Sequence, residues 1–260
     1  MNGENNMFVL LGGYDLEMLE IRKLLVAHEG SFLDAGLNWD TAKWDAYRNE
    51  PYLSQIHRAF ETGRQVFGIE LRGEAIEGCG LIDHHNELQH LPSAIEQVAS
   101  LMSLELDRRQ QLVAANDKGY IPAMMEMGAT QEEIDEIRRA DRIVQGVTEE
   151  EEKRAELDII KGERVDDLLV IGTGLSRFSP ISDKLFGKTS QLLIYSDNSL
   201  DYYWKGKDLV ADHFKEYIDH GKAYEGGGEF GFFGLSKNAL PKEEILAIKD
   251  KIVSLTTNLS

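Results

Sequence analysis

Cysteine is almost missing from this chain of 260 residues, with Cys79 standing alone. A single thiol excludes an internal disulfide and any metal site built from several thiolates. No apolar run approaches the length of about eighteen residues that a membrane-crossing helix needs. The opening residues, Met1 to Asn6, have neither the basic nor the apolar region of a secretory signal. Together these absences predict a cytoplasmic protein with no membrane partner. Positive charge is also scarce: 28 Lys and Arg against 46 Asp and Glu leave a formal net charge of −18. Such a field opposes tracking of a long nucleic-acid strand, which needs clustered cations to displace counterions. A small anionic ligand remains compatible if metal ions, local Lys or Arg, or backbone N–H groups receive it. The chain has no internal repeat and no low-complexity tract.

What is present is an α/β alternation. Residues 7–11 read as a buried strand broken by Gly12 and Gly13, after which Leu16, Leu19, Leu24 and Leu25 fit a helix. Residues 31–44 read as a loop and a short helix, 54–62 as a helix, and 65–71 and 80–82 as two more strands. Pro92, Ser93 and Ala94 open a helix with Ile95, Val98, Ala99 and Met102 on its inward stripe. The next helix runs into turn chemistry at Asn116, Asp117, Lys118 and Gly119. Residues 131–144 read as a solvated helix with Ile134, Ile137 and Ile143 on its buried edge.

The charged stretch from Thr148 to about Arg164, with a thin seam of Leu157, Ile159 and Ile160, reads as a connector. A second α/β pattern follows, with strands at 168–171, 192–195, 200–204 and 230–235 and a closing helix at 241–255. The expected organisation is a parallel-sheet domain over 1–147, a helical linker over 148–165 and a smaller α/β domain over 166–260.

Chemistry concentrates where elements end. The run Gly80-Leu81-Ile82 ends in Asp83, His84 and His85, two of the seven histidines. In open α/β sheets ligands collect outside the carboxyl ends of strands. Asp15 and Glu17 stand between the first strand and its helix, Glu70 closes another strand, and Asp117 sits at the 116–119 turn. Each has a plainer reading: Asp83 as a helix cap beside water-facing histidines, Asp15 and Glu17 as acids favouring a helix dipole. Carboxylates from several strand ends with an imidazole give an oxygen and nitrogen shell that suits Mn²⁺ or Mg²⁺ and not a zinc thiolate site.

The order of these acids, Asp15-x-Glu17, Glu70, Asp83-His84-His85 and Asp117, resembles the first four motifs of the DHH family of phosphoesterases. That family includes single-strand exonucleases, oligoribonucleases, cyclic-dinucleotide phosphodiesterases and manganese pyrophosphatases. Residues 92–98 resemble the segment after the histidines, and Leu169, residues 177–185 and Gly226-Gly227-Gly228 resemble the DHH-associated companion domain. The resemblance implies a DHH-type domain followed by this companion, and hydrolysis of a phosphoester by metal-activated water. It implies metal ligands at Asp15, Glu17, Glu70, His84 and Asp117, with His84 and His85 catalytic. Substrate contacts would fall to His85, Arg72, Lys205, Gly226, Gly227 and Gly228. The chain departs from the family at Glu17 and Glu70, where Asp is usual, and at Glu229, where His is usual. No histidine precedes Asp15.

Tyr202-Tyr203-Trp204-Lys205-Gly206-Lys207 sets aromatics beside cations, a composition able to stack a base and meet its phosphate, or to form an ordinary strand edge. Arg72 is as suited to pairing with an acid as to neutralising phosphate. The expected activity is that of a manganese-dependent phosphodiesterase or phosphatase acting on a small phosphorylated substrate, a short oligonucleotide or cyclic dinucleotide. The rival readings are a catalytically degenerate DHH-like protein that binds nucleotide or metal, and a pyrophosphate or polyphosphate hydrolase. A homodimer is compatible with all of them.

Overall fold

The computed structural model describes residues 6–257 and divides into two compact units at Gln145/Gly146. In the first, strands β1 (Met7–Leu10), β2 (Ser31–Leu33), β3 (Gln65–Ile69) and β4 (Gly80–Ile82) form one sheet, all parallel, in the order β2-β1-β3-β4. From β1 the chain passes through α1 (Leu16–Ala27) to β2 on one side. It then returns through α2 (Tyr52–Glu61) to β3 on the other side. That reversal opens a crevice between the carboxyl ends of β1 and β3, the place where an open α/β sheet receives ligands.

Alternation along the strands divides the core between the two sheet faces. Val9, Leu11, Ile69 and Ile82 pack with Ile21, Leu25, Ile95 and Val98, while Leu10, Val66 and Leu71 pack with Trp44, Tyr47 and Ile56. Helices α3 (Ala94–Leu101), α4 (Arg108–Glu126) and α5 (Gln131–Val144) complete the unit, each opened by a reciprocal cap: Ser93 with Glu96, Asp107 with Gln110, Thr130 with Glu133.

Two expectations change here. Strand β2 lies where the sequence reads as a loop, because three residues are too short to display a period. The buried edge of α5 keeps Ile134 and Ile137 as expected but not Ile143, which is 58% exposed; Arg138, Asp141 and Arg142 complete it.

The second unit contains α6 (Glu149–Ile160), β5 (Glu163–Val165), β6 (Leu168–Gly172), α7 (Ser179–Leu185), β7 (Gln191–Tyr195) and β8 (Leu200–Trp204). It continues with α8 (Lys207–His213), α9 (Lys215–Asp219), β9 (Ala223–Gly226), β10 (Phe232–Leu235) and α10 (Lys242–Thr256). Its six-stranded sheet runs β5-β6-β7-β8-β10-β9 and is parallel only between β6 and β7.

The charged segment expected as a connector supplies both α6 and β5 to this unit. Ala155 is fully buried against the β6 and β7 side chains with Ile159 of the expected seam half-buried beside it, whereas Leu157 and Ile160 of that seam are exposed. The α/β class, with a parallel sheet in the first unit and a smaller second α/β unit, is as expected. Among the described residues no helix is long and apolar enough to cross a membrane.

The close approach of β1 and β3 at the crevice depends on Gly12. A Cβ there would stand 2.0 Å from the Ile69 carbonyl oxygen, a backbone atom that cannot step aside. Gly12→Ala is therefore expected to cost about 3 kcal/mol, at the upper end for overpacking, read as a lowered urea midpoint with unchanged slope. Wild-type stability in this variant would remove the argument for a forced close approach.

Candidate metal centre

Every chemically active side chain of the crevice is delivered by the end of an element. Asp15 caps α1, its Oδ1 accepting from Met18 N–H at 2.8 Å, so the plainer reading holds for that oxygen. Glu17, in the first turn of α1, is buried, and its Oε1 accepts the Ile95 N–H at 3.0 Å. That N–H is one of the unpaired donors of the first turn of α3, so the bond fixes Glu17 while satisfying the helix. Glu70 follows β3 directly with φ of 51°, a left-handed conformation sparsely used by non-glycine residues and recurrent at functional sites. Its N–H still bonds the Ile82 carbonyl at 2.9 Å, which locks the turn to β4.

Beyond β4, the Asp83 Oδ1 accepts from the His85 backbone N–H and meets His85 Nδ1, both at 2.9 Å, while Gln97 Nε2 holds the Asp83 carbonyl at 3.0 Å. Asp117 comes from α4, two residues before that helix is interrupted at Gly119 and Tyr120.

These side chains meet around His84. Its Nε2 lies 2.5 Å from Asp117 Oδ2, 3.6 Å from Glu70 Oε1 and 3.8 Å from Glu17 Oε2. Ligand-type atoms of Glu70, His84, His85 and Asp117 all fall within 4.8 Å of one another. Among the described residues, five buried side-chain polar atoms lack a hydrogen bond, and four of them are Glu17 Oε2, Glu70 Oε1, His84 Nε2 and Asp117 Oδ2. Buried polar atoms are nearly always paired, so four orphans around one point form a donor set of oxygens and one nitrogen that fits a divalent cation. The extra methylene at positions 17 and 70 does not take either carboxylate away from this point.

The electrostatics reflect how closely these buried carboxyls crowd one another. Burial pushes the Asp15 carboxyl up to about 7 against its bond from Met18, helped by the charges of Asp117, Glu17 and Asp141. Glu70 is pushed up to about 8, again by burial first, with His84 opposing and Glu17, Asp15 and Asp117 adding. Burial also raises Glu17 against the stabilising His84. For His84 burial favours the neutral ring, yet Asp117, Glu17 and Glu70 outweigh it and raise the imidazole to about 12. The surrounding carboxylates thus favour the charged form of the His84 imidazole.

The remaining expected residues lie elsewhere. The Arg72 guanidinium donates to the Trp39 carbonyl, and Trp39 presents its indole edge-on to His85 with ring centroids 5.6 Å apart. Arg72 thereby holds a loop beside the site, and Trp39 is a neighbour that no sequence pattern announces. Lys205 and Gly226 to Gly228 belong to the second unit. Gly227 and Gly228 have φ of 81° and 56°, and a Cβ on Gly231 would stand 1.8 Å from the Gly226 carbonyl, so a tight turn accounts for these glycines. The Glu229 side chain lies outside what the structure describes.

Three solved structures are similar in backbone course at low identity. A DHH-domain protein, described as belonging to a family of ribosomal proteins, has a TM-score of 0.47 at 10% identity, over 96% of this chain and 87% of its own. RecJ from Thermus thermophilus in complex with Mn²⁺ gives 0.43 at 9% identity over 95% of this chain, which spans 51% of that protein. Exonuclease RecJ bound to manganese gives 0.40 at 8% identity, over 97% and 90% of the two chains. No family model matches the chain, and no curated protein matches it.

Proposed function

We propose that this protein is a divalent-metal-dependent hydrolase of phosphoesters whose substrate is small and nucleotide-like. The observation that carries the reading is the convergence of the four orphaned atoms of Glu17, Glu70, His84 and Asp117 at a strand-end crevice. These four residues would hold Mn²⁺ or Mg²⁺. The ion would supply Lewis acidity toward a phosphoryl oxygen and toward water.

Glu70 would help hold the ion through Oε1, which lies 3.6 Å from His84 Nε2 and 3.8 Å from His85 Nδ1. The His85 side chain is 37% exposed where that of His84 is 5% exposed, so His85 is the imidazole a substrate can reach. Asp83 accepts the Nδ1 proton of His85 and orients the ring, so that Nε2 would donate to a phosphate oxygen or a leaving group when the imidazole is protonated. The reach of Glu17 and Glu70 favours a working centre over a degenerate binding protein.

The substrate class draws on the second unit. Of the three consecutive aromatics there, Tyr202 is buried with its hydroxyl bonded to Gln191, and Tyr203 bonds Asp201. Trp204 alone opens into a pocket of about 440 Å³, together with Phe186, Phe230, Lys205 and Lys207. The Phe186 ring stands 5.9 Å from that of Trp204 and 5.6 Å from that of Phe230. Lys207 is occupied by the Asp208 carboxylate, so Lys205 is the cation left to meet phosphate beside a stacked base.

Purified protein with Mn²⁺ is expected to cleave di- to pentanucleotides or cyclic dinucleotides in a panel that also holds pyrophosphate and an aryl phosphodiester. Turnover of pyrophosphate alone would remove the nucleotide part of the proposal. No turnover at all, with metal binding seen by calorimetry, would leave the degenerate reading. Trp204→Ala should raise KM for nucleotides about tenfold, the equivalent of about 1.4 kcal/mol of stacking, and leave any pyrophosphate cleavage unchanged.

A further inference from the structure

We infer that Arg138 is a positioning residue for Asp117, and that its buried guanidinium fixes the break in α4 that aims this carboxylate at the cluster. The inference rests on the reading of Asp117 as a metal ligand. It begins with the backbone. Two residues after Asp117 the helix leaves regular geometry, and Tyr120 takes φ 62° and ψ −147°, a combination open almost only to glycine. A side chain held there must be over-determined by its surroundings.

Arg138 of α5 supplies the constraint from a position 3% exposed. One terminal nitrogen donates to Asn116 Oδ1 at 2.9 Å and to Asp141 Oδ2 at 2.7 Å. The other donates to the Tyr120 hydroxyl at 2.7 Å, and the guanidinium carbon lies 3.8 Å from the centroid of the Tyr120 ring. The planar fork therefore grips the residue just before Asp117 and the residue three after it, one ahead of the break and one within it. Asp141, itself bonded by Gln145 Nε2 at 3.1 Å, balances the charge.

A buried ion pair is seldom retained for stability alone, since apolar residues of equal volume serve as well. What apolar residues cannot do is hold two points of a broken helix at fixed separation. Lysine cannot do it either, being a point charge without a planar fork.

Titration calorimetry of the full chain with Mn²⁺ tests this. Arg138→Met is expected to weaken Mn²⁺ binding 10- to 100-fold, roughly the range for residues that orient a ligand, while circular dichroism and the Tm of the metal-free protein report a folded chain. Arg138→Lys should remain as weak as Arg138→Met. In Co²⁺-loaded protein both should shift the visible bands in the same direction as Asp117→Asn, which a general loss of stability would not do. Should Arg138→Met fail to fold, Asn116→Ala and Tyr120→Phe carry the test, each weakening binding by a smaller factor. Binding within twofold of wild type in the folded variants, or full rescue by lysine, overturns the inference. Failure of the wild-type protein to bind Mn²⁺ overturns the metal-centre reading instead, and this inference with it.

Discussion

His84→Ala is expected to lower turnover of the phosphoester substrate by about 10³-fold or more and to remove most of the bound metal. Among the described residues His84 is the side chain that meets all three carboxylates of the cluster, at 2.5 Å to Asp117, 3.6 Å to Glu70 and 3.8 Å to Glu17. Its loss deletes a ligand from the centre that stabilises charge in the transition state, a class of change that costs several kcal/mol. The metal-free variant should still fold at pH 5, because the crowded carboxyls take up protons in place of the lost imidazolium.

At pH 8 the same variant should be less stable than wild type, because carboxylates that ionise there have lost their buried partner. Breaking a buried pair costs about 3–5 kcal/mol where no proton uptake relieves it. Activity in excess Mn²⁺, metal content by mass spectrometry and urea unfolding at the two pH values check each part. Activity within tenfold of wild type would sink the assignment of His84.

The acids of the centre are legible because each sits at a break between an apolar run and a helix, and parallel strands must end on one side of their sheet. That rule finds Asp15, Glu17, Glu70, Asp83, His84 and His85. Asp117 emerges for a different reason, since Asn116 to Gly119 read as a turn and the chain there is a helix interrupted two residues later. Turn chemistry and a helix break share glycine and asparagine, so composition does not separate them.

Arg138 escapes that rule, yet its signal is in the sequence. Ile134, Ile137, Arg138 and Asp141 recur at the spacing of one helix face, and all four are buried. Two charged residues on an apolar stripe mark a buried pair, and reading Ile143 as part of that stripe hides them. Trp39 and Arg72 cannot be placed by period at all, because a hydrogen bond to a loop carbonyl leaves no pattern. In the charged segment the apolar letters Leu157 and Ile160 mislead, since packing selects Ala155, a residue too small to stand out by hydropathy.

Mn²⁺ is expected to raise the Tm more at pH 8 than at pH 5.5, with the difference abolished by EDTA. Without metal, three groups make stability fall as pH rises. Glu70 is moved from its ordinary 4.5 to about 8, so between these values the unfolded chain has lost a proton that the folded chain keeps, and folding is progressively opposed. Asp15, moved from 3.8 to about 7, acts in the same direction over its own window. His84, raised from 6.5 to about 12, contributes stability fully below pH 6.5 and loses it as the pH climbs toward 12. All three windows overlap between about pH 6.5 and 7.

A metal ion reverses the preference, since it binds the deprotonated ligands and must release the protons the cluster holds. Its apparent affinity therefore tightens with pH, and at a concentration about 100-fold above Kd it adds about 2.7 kcal/mol to the folded state. Calorimetry in buffers of different ionisation enthalpy should count at least one proton released per ion at pH 7. Asp117→Asn should flatten the dependence by removing one carboxylate that holds the His84 proton. Equal Tm gains at both pH values, or binding without proton release, would show that the ion sits somewhere other than among Glu17, Glu70, His84 and Asp117.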